Sequence, residues 1–150
     1  MAENGIDTAA LQRFDPYSST GFTIDGEGPT RNDMAVKVMN AAQTYGIKFY
    51  IMYDVSGWNS NSMPVQIEYD WTNVMVQLHI TNSPMYAMQN GKPVVCIWGF
   101  GFDDPNHPWD AATCASVINW FKNQGCYVIG GVPTWWRTGV SDSITSRTAW

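Results

Sequence analysis
Two acidic positions and a set of aromatic rings suggest what chemistry this chain could perform. Asp54 closes the apolar run KFYIMYD, and Asp103 with Asp104 follows the glycine-spaced stretch WGFGF. A carboxyl pair can act as general acid and base, so Asp54 and Asp103 are the candidates for that role. Around them stand residues suited to holding a sugar. Gln12 and Arg13 precede Phe14, and Tyr53 and Trp58 flank Asp54. Trp98, Phe100 and Phe102 precede the Asp103-Asp104 pair, and Trp135, Trp136 and Arg137 follow Thr134. Aromatic faces stack on the C–H faces of sugars, while carboxylate, amide and guanidinium groups bond hydroxyls.

Those residues gather only if the elements before them run parallel. Apolar segments at Ile6–Phe14, Lys48–Gly57, Pro93–Trp98 and Cys126–Gly131 read as buried strands. Helical spacing separates them. Met34, Val38, Ala41, Ala42 and Tyr45 follow the cap-like TRND at 30–33, and Gly46 stops that helix. Trp71, Val74, Met75 and Leu78 form a second helical face with Asp70 as its cap. Ala112, Val117, Ile118 and Phe121 form a third, with Pro108 in its first turn and Gly125 beyond its end. The resulting order, strand and helix alternating from strand to strand, predicts an α/β fold with a parallel sheet. An open doubly wound sheet and part of an eight-stranded β/α barrel both fit. In either, the candidate residues fall at the carboxyl ends of the strands, where such folds bind ligands. The opposite ends, at Asn4-Gly5, Gly46-Ile47, Asn90-Gly91-Lys92 and Gln124-Gly125, contain turn residues only.

Each candidate also has a structural use. Tyr53 and Asp54 could cap a loop, Trp98 could fill the core, and Gln12 with Arg13 could form a polar plug. Arg137 could pair with Asp54 or Asp103. Asp103 and Asp104 suit the cap of the third helix better than catalysis. His79 reads as a helix-surface residue and His107 as a loop residue.

Composition narrows the field. The 150 residues include 14% charged and 14% aromatic side chains, so the surface is short of charge and rich in rings. A net charge of -5 without a Lys/Arg cluster argues against nucleic acid. No apolar run approaches the roughly 20 residues that span a bilayer. Met1 leads straight into AENGID, with no leader pattern, and the compartment stays open. Three cysteines, Cys96, Cys114 and Cys126, sit in predicted strands or a helix and read as buried free thiols. With His79 and His107 far apart, no metal-ligand spacing occurs. WGFGF holds only a GxG, so a dinucleotide fingerprint is missing, as is a phosphate loop.

Four segments taken in order, NGIDTAALQRF, KFYIMYDVSGW, GKPVVCIWGFGF and GCYVIGGVPTWWR, resemble glycoside hydrolase family 99-like proteins, relatives of endo-α-mannosidases and of family 71 enzymes. The match touches most of residues 1–137. It implies a (β/α)8 barrel acting on glycans without metal or organic cofactor, in a secreted or periplasmic setting. It also implies that the four strands are the second to fifth of eight, so that the barrel is incomplete. The pocket-lining positions it transfers are Tyr53, Asp54, Trp98 and the segment Thr134 to Arg137. The family's catalytic pair, two glutamates on a late loop, has no counterpart among Glu3, Glu27 and Glu68. Three readings follow: a catalytically silent glycosidase-derived half-barrel, a carbohydrate-binding module without chemistry, or a working enzyme in which two copies associate as a homo-oligomer to close the barrel and cover its open edges.

Overall fold
In the computed structural model, residues 1–17, 21–59, 61–102 and 104–131 are described. Asp103 and the segment with Trp135, Trp136 and Arg137 lie outside them. Four parallel strands, β1 (Thr8–Arg13), β2 (Lys48–Asp54), β4 (Lys92–Trp98) and β5 (Tyr127–Gly131), lie side by side in chain order. The chain is therefore α/β with a parallel sheet. A two-residue strand absent from the sequence reading, β3 (Met88–Gln89), pairs antiparallel with the start of β4. Its turn uses Asn90 and Gly91, both at positive φ, a hairpin signal placed at the amino edge of the sheet.

Register fixes what meets at the carboxyl edge. Gln12 lies beside Met52, which lies beside Cys96, and Asp54 lies beside Trp98, which lies beside Gly131. Alternation along β2 sends Phe49, Ile51 and Tyr53 into the core. There they join Ala35 and Ala42 of α1 (Gly28–Tyr45), Met63 and Ile67 of α2 (Met63–Asp70), and Val117, Ile118 and Phe121 of α3 (Ala111–Asn123). All three helices thus share one hydrophobic cluster. The intervening residues Tyr50 and Met52 are only half-buried, and Ala10 and Gln12 are exposed.

The helix boundaries correct three expectations. Helix α1 opens at Gly28 with Pro29 in its first turn, ahead of the TRND segment, because Asp25 accepts from the backbone of Glu27 and Gly28. Helix α2 starts at Met63 with Pro64 in its first turn, so Asp70 ends it instead of capping it, and a π turn continues over Trp71–Met75. Helix α3 is capped by Asp110, whose side chain accepts from Thr113 N at 2.7 Å. Pro108 and Asp104 therefore precede the cap, and the expected capping role of Asp104 is not the one it has. Helix ends at Gly46 and Gly125 agree with the sequence reading, each glycine at positive φ.

Candidate functional site
Two polar networks occupy the carboxyl edge, one buried and one that holds Asp54 and His107 buried but opens to solvent at Gln12 and Asp104. The buried one begins where β1 ends. Arg13, 3% exposed, donates from Nε and Nη2 to the two carboxylate oxygens of Asp70 at 2.6 Å each. Tyr53 and Tyr17 donate to the same carboxylate at 2.8 and 3.2 Å, and Asn32 Oδ1 accepts from Arg13 at 2.7 Å. Burial opposes the guanidinium charge, but the bonds and charge of Asp70 outweigh it and raise the Arg13 pKa. The Tyr53 and Tyr17 hydroxyls are pushed up by burial and by the neighbouring Asp70 charge. Arg13 and Tyr53, both expected to touch substrate, are thus committed to a core ion-pair network. Trp58, also a candidate, is 3% exposed and packs edge-on to Tyr53 at 6.4 Å. Its Nε1, like that of Trp109, is buried without a hydrogen-bond partner among the described residues.

The open network starts at the end of β2. Asp54 Oδ2 accepts from Gln12 Nε2 at 2.5 Å. Asp54 Oδ1 accepts from the Ser56 backbone N–H at 3.0 Å and from its hydroxyl at 2.5 Å, an Asx turn that carries the chain off the strand. Ser56 Oγ in turn lies 2.9 Å from His107 Nε2, and His107 Nδ1 lies 2.9 Å from both oxygens of Asp104. A continuous hydrogen-bonded chain therefore runs from Gln12 through Asp54, Ser56 and His107 to Asp104. Its bond with His107, assisted by the backbone N–H groups of Asn106 and His107, lowers the pKa of the Asp104 carboxyl.

Aromatic rings stand beside this chain. Phe102 stacks on His107 with centroids 4.9 Å apart, and Trp98 lies 5.0 Å from Phe102 and 5.5 Å from His107. Trp98 and Phe102 are half-buried, whereas Phe100 is fully buried. Two glycines make this packing feasible. Gly99 has φ +110°, and a Cβ there would fall 2.8 Å from His107 Cδ2. A Cβ on Gly131 would fall 2.2 Å from Trp98 Cδ1, so the end of β5 is bare where the indole crosses it.

Of the sequence candidates, then, Gln12, Asp54, Trp98 and Phe102 lie along one rim, with Asp54 itself buried. The sequence reading placed Asp104 at this edge as a helix cap and missed Ser56 and His107 as members of the network. Ser56 had a readable signal, since an Asp two residues before a Ser commonly forms such a turn. His107 had none, because its partner is 51 residues away. No group of three or more His, Cys, Asp or Glu able to hold a metal occurs among the described residues. No described helix is long and apolar enough to cross a membrane. Compared with protein-family models, curated proteins and solved structures, the chain finds no match.

Proposed function
We propose that the chain is a glycan-directed β/α domain, an arc of a (β/α)8 barrel that receives a neutral oligosaccharide at its carboxyl edge. One observation supports this above the others. The half-buried Trp98 is the register neighbour of Asp54 and packs on Phe102, and Asp54 holds the exposed Gln12 amide at the same edge, a ring platform with a hydrogen-bonding group for hydroxyls. The barrel element is supported by the strand order, which follows the chain without reversal, whereas a doubly wound sheet reverses at its switch point. Hydrolysis of a glycosidic bond is the reaction the family resemblance implies for a complete barrel. In this chain Glu3 lies in the first turn, Glu27 before α1 and Glu68 within α2, none of them at a strand's carboxyl end. Sugar binding without cleavage of the glycosidic bond is therefore the function assigned to the chain itself, with a carbohydrate-binding module as the nearest description.

Self-association belongs to the same proposal. Among the described residues β1 pairs with β2 alone, and the sheet face bearing Tyr50 and Met52 is only half covered. A second copy of the chain would cover both. Calorimetry with manno-oligosaccharides tests the binding. Heat without product is expected, and Trp98→Ala should weaken affinity about tenfold, the worth of one good stacking contact. Absence of heat with any neutral oligosaccharide, or unchanged affinity in that variant, would refute the reading.

A further inference from the structure
We propose that Ser56, His107 and Asp104 form a nucleophile, a base and an orienting acid for acyl transfer, acting on carboxylic esters. The polarity of the chain suits that use. His107 presents Nε2 to the Ser56 hydroxyl at 2.9 Å and Nδ1 to Asp104 at 2.9 Å, the two ring nitrogens serving the two roles separately. With the ring hydrogen on Nδ1, held by Asp104, Nε2 is free to accept the serine proton.

This arrangement is built rather than incidental. His107 is 8% exposed, its ring stacked on Phe102 and met edge-on by Trp98. The glycine-only backbone of Gly99 leaves the space the imidazole occupies. Gly57 N–H donates to Asn106 O at 2.9 Å, tying the serine turn to the histidine loop. Asn106 N–H and His107 N–H both donate within the Asp104 turn, at 2.8 Å to its carboxylate and 3.0 Å to its carbonyl. Ser56 itself is only half-buried, so an ester can reach it.

The reaction balances with water as the sole co-reactant. Ser56 Oγ bonds to the acyl carbon as its proton passes to His107 Nε2. The bond from that carbon to the alkoxy oxygen then breaks, and the departing alcohol takes the proton. Water, deprotonated by the same nitrogen, cleaves the acyl-serine and restores the hydroxyl. The serine hydrogen has a second acceptor, Asp54 Oδ1 at 2.5 Å, and attack proceeds only when it turns to His107.

A fluorophosphonate tests the idea, since Ser56 Oγ would bond to phosphorus with loss of fluoride. The probe has no sugar, so its result is independent of the glycan reading. We expect a single adduct on the wild-type protein, located at Ser56 by peptide mapping. His107→Gln should slow its formation roughly 100-fold, the usual value of a general base. Ser56→Ala should abolish it. No adduct on folded wild-type protein, an adduct mapped to another residue, or an unchanged rate in the histidine variant would each overturn the proposal. Mapping on the wild-type chain keeps the test decisive if a variant fails to fold.

Discussion

Asp70→Asn gives the clearest test of how the carboxyl edge is held together. Asp70 is fully buried and accepts from Arg13, Tyr53 and Tyr17. The replacement is nearly isosteric, so packing is kept while the negative charge is lost. What remains is a guanidinium 3% exposed with no counter-charge beside it. Breaking a buried pair in this way costs about 3–5 kcal/mol, because the surviving charge stays desolvated. Against a total stability of about 5–15 kcal/mol, that is a large share. With a urea slope of about 2 kcal/mol/M, the midpoint should fall by about 1.5–2.5 M. Equilibrium unfolding followed by far-ultraviolet circular dichroism measures it. The double variant Arg13→Met with Asp70→Leu supplies the control. Removing both charges should recover much of the loss, since an apolar pair of similar volume has no desolvated ion. A loss below about 1 kcal/mol in Asp70→Asn would refute the reasoning, as it would place the pair with exposed ion pairs. A double variant as unstable as the single one would show that the tyrosine bonds matter more than the charges.

Two further outcomes follow from the same geometry. Gly99→Ala forces an L side chain to φ +110° with its Cβ 2.8 Å from His107, so it should cost about 1–3 kcal/mol and displace the imidazole; an unshifted His107 ring resonance in NMR would contradict this. Burial pushes the Cys96 thiol up to about 11 and those of Cys114 and Cys126 up to about 12, from a usual 9.0. Because the folded values are the higher ones, their stabilising contribution is intact below about pH 9 and is lost as the pH climbs toward 11–12. Thermal melting should therefore fall through that window, and thiol reagents at pH 8 should react only after unfolding. Three rapidly titrating thiols in the native protein would contradict the buried placement.

Much of the architecture was legible because it depends on short-range pattern. Apolar runs of strand length and the glycines that stop α1 and α3 gave four strands in the right order. Asp70 was misread for the opposite reason. As a residue ahead of Trp71, Val74, Met75 and Leu78 it has the chemistry of a cap, and nothing nearby marks it as an ion-pair partner. Its true neighbour, Arg13, is 57 residues away. That pairing also settles the role of Arg13, which as a strand-end cation could equally have faced a ligand. Strand β3 was missed because two residues, Met88 and Gln89, are too few to show a period.

The open rim illustrates the same limit in a form that bears on function. Gln12, Asp54, Trp98 and Phe102 were found because a parallel sheet must bring its strand ends together, whatever the side chains do there. The link from Ser56 through His107 to Asp104 was not, because loops between strand and helix are placed by contacts that no periodicity encodes. Yet Gly99 marked the spot. A glycine directly after a buried strand serves a left-handed backbone, a close approach, or both, and here φ is +110° and the approaching group is His107. The GFGF sequence therefore does more than let the chain turn. Its first glycine admits the imidazole, its second phenylalanine stacks upon it, and the ring so held faces Ser56. A glycine-spaced aromatic stretch after a buried strand can thus be read in two ways, as a platform for a ligand or as a seat for a side chain. At this edge His107 is the reason for the second, while the half-exposed Trp98 and Phe102 are the rings on which the proposed first use rests.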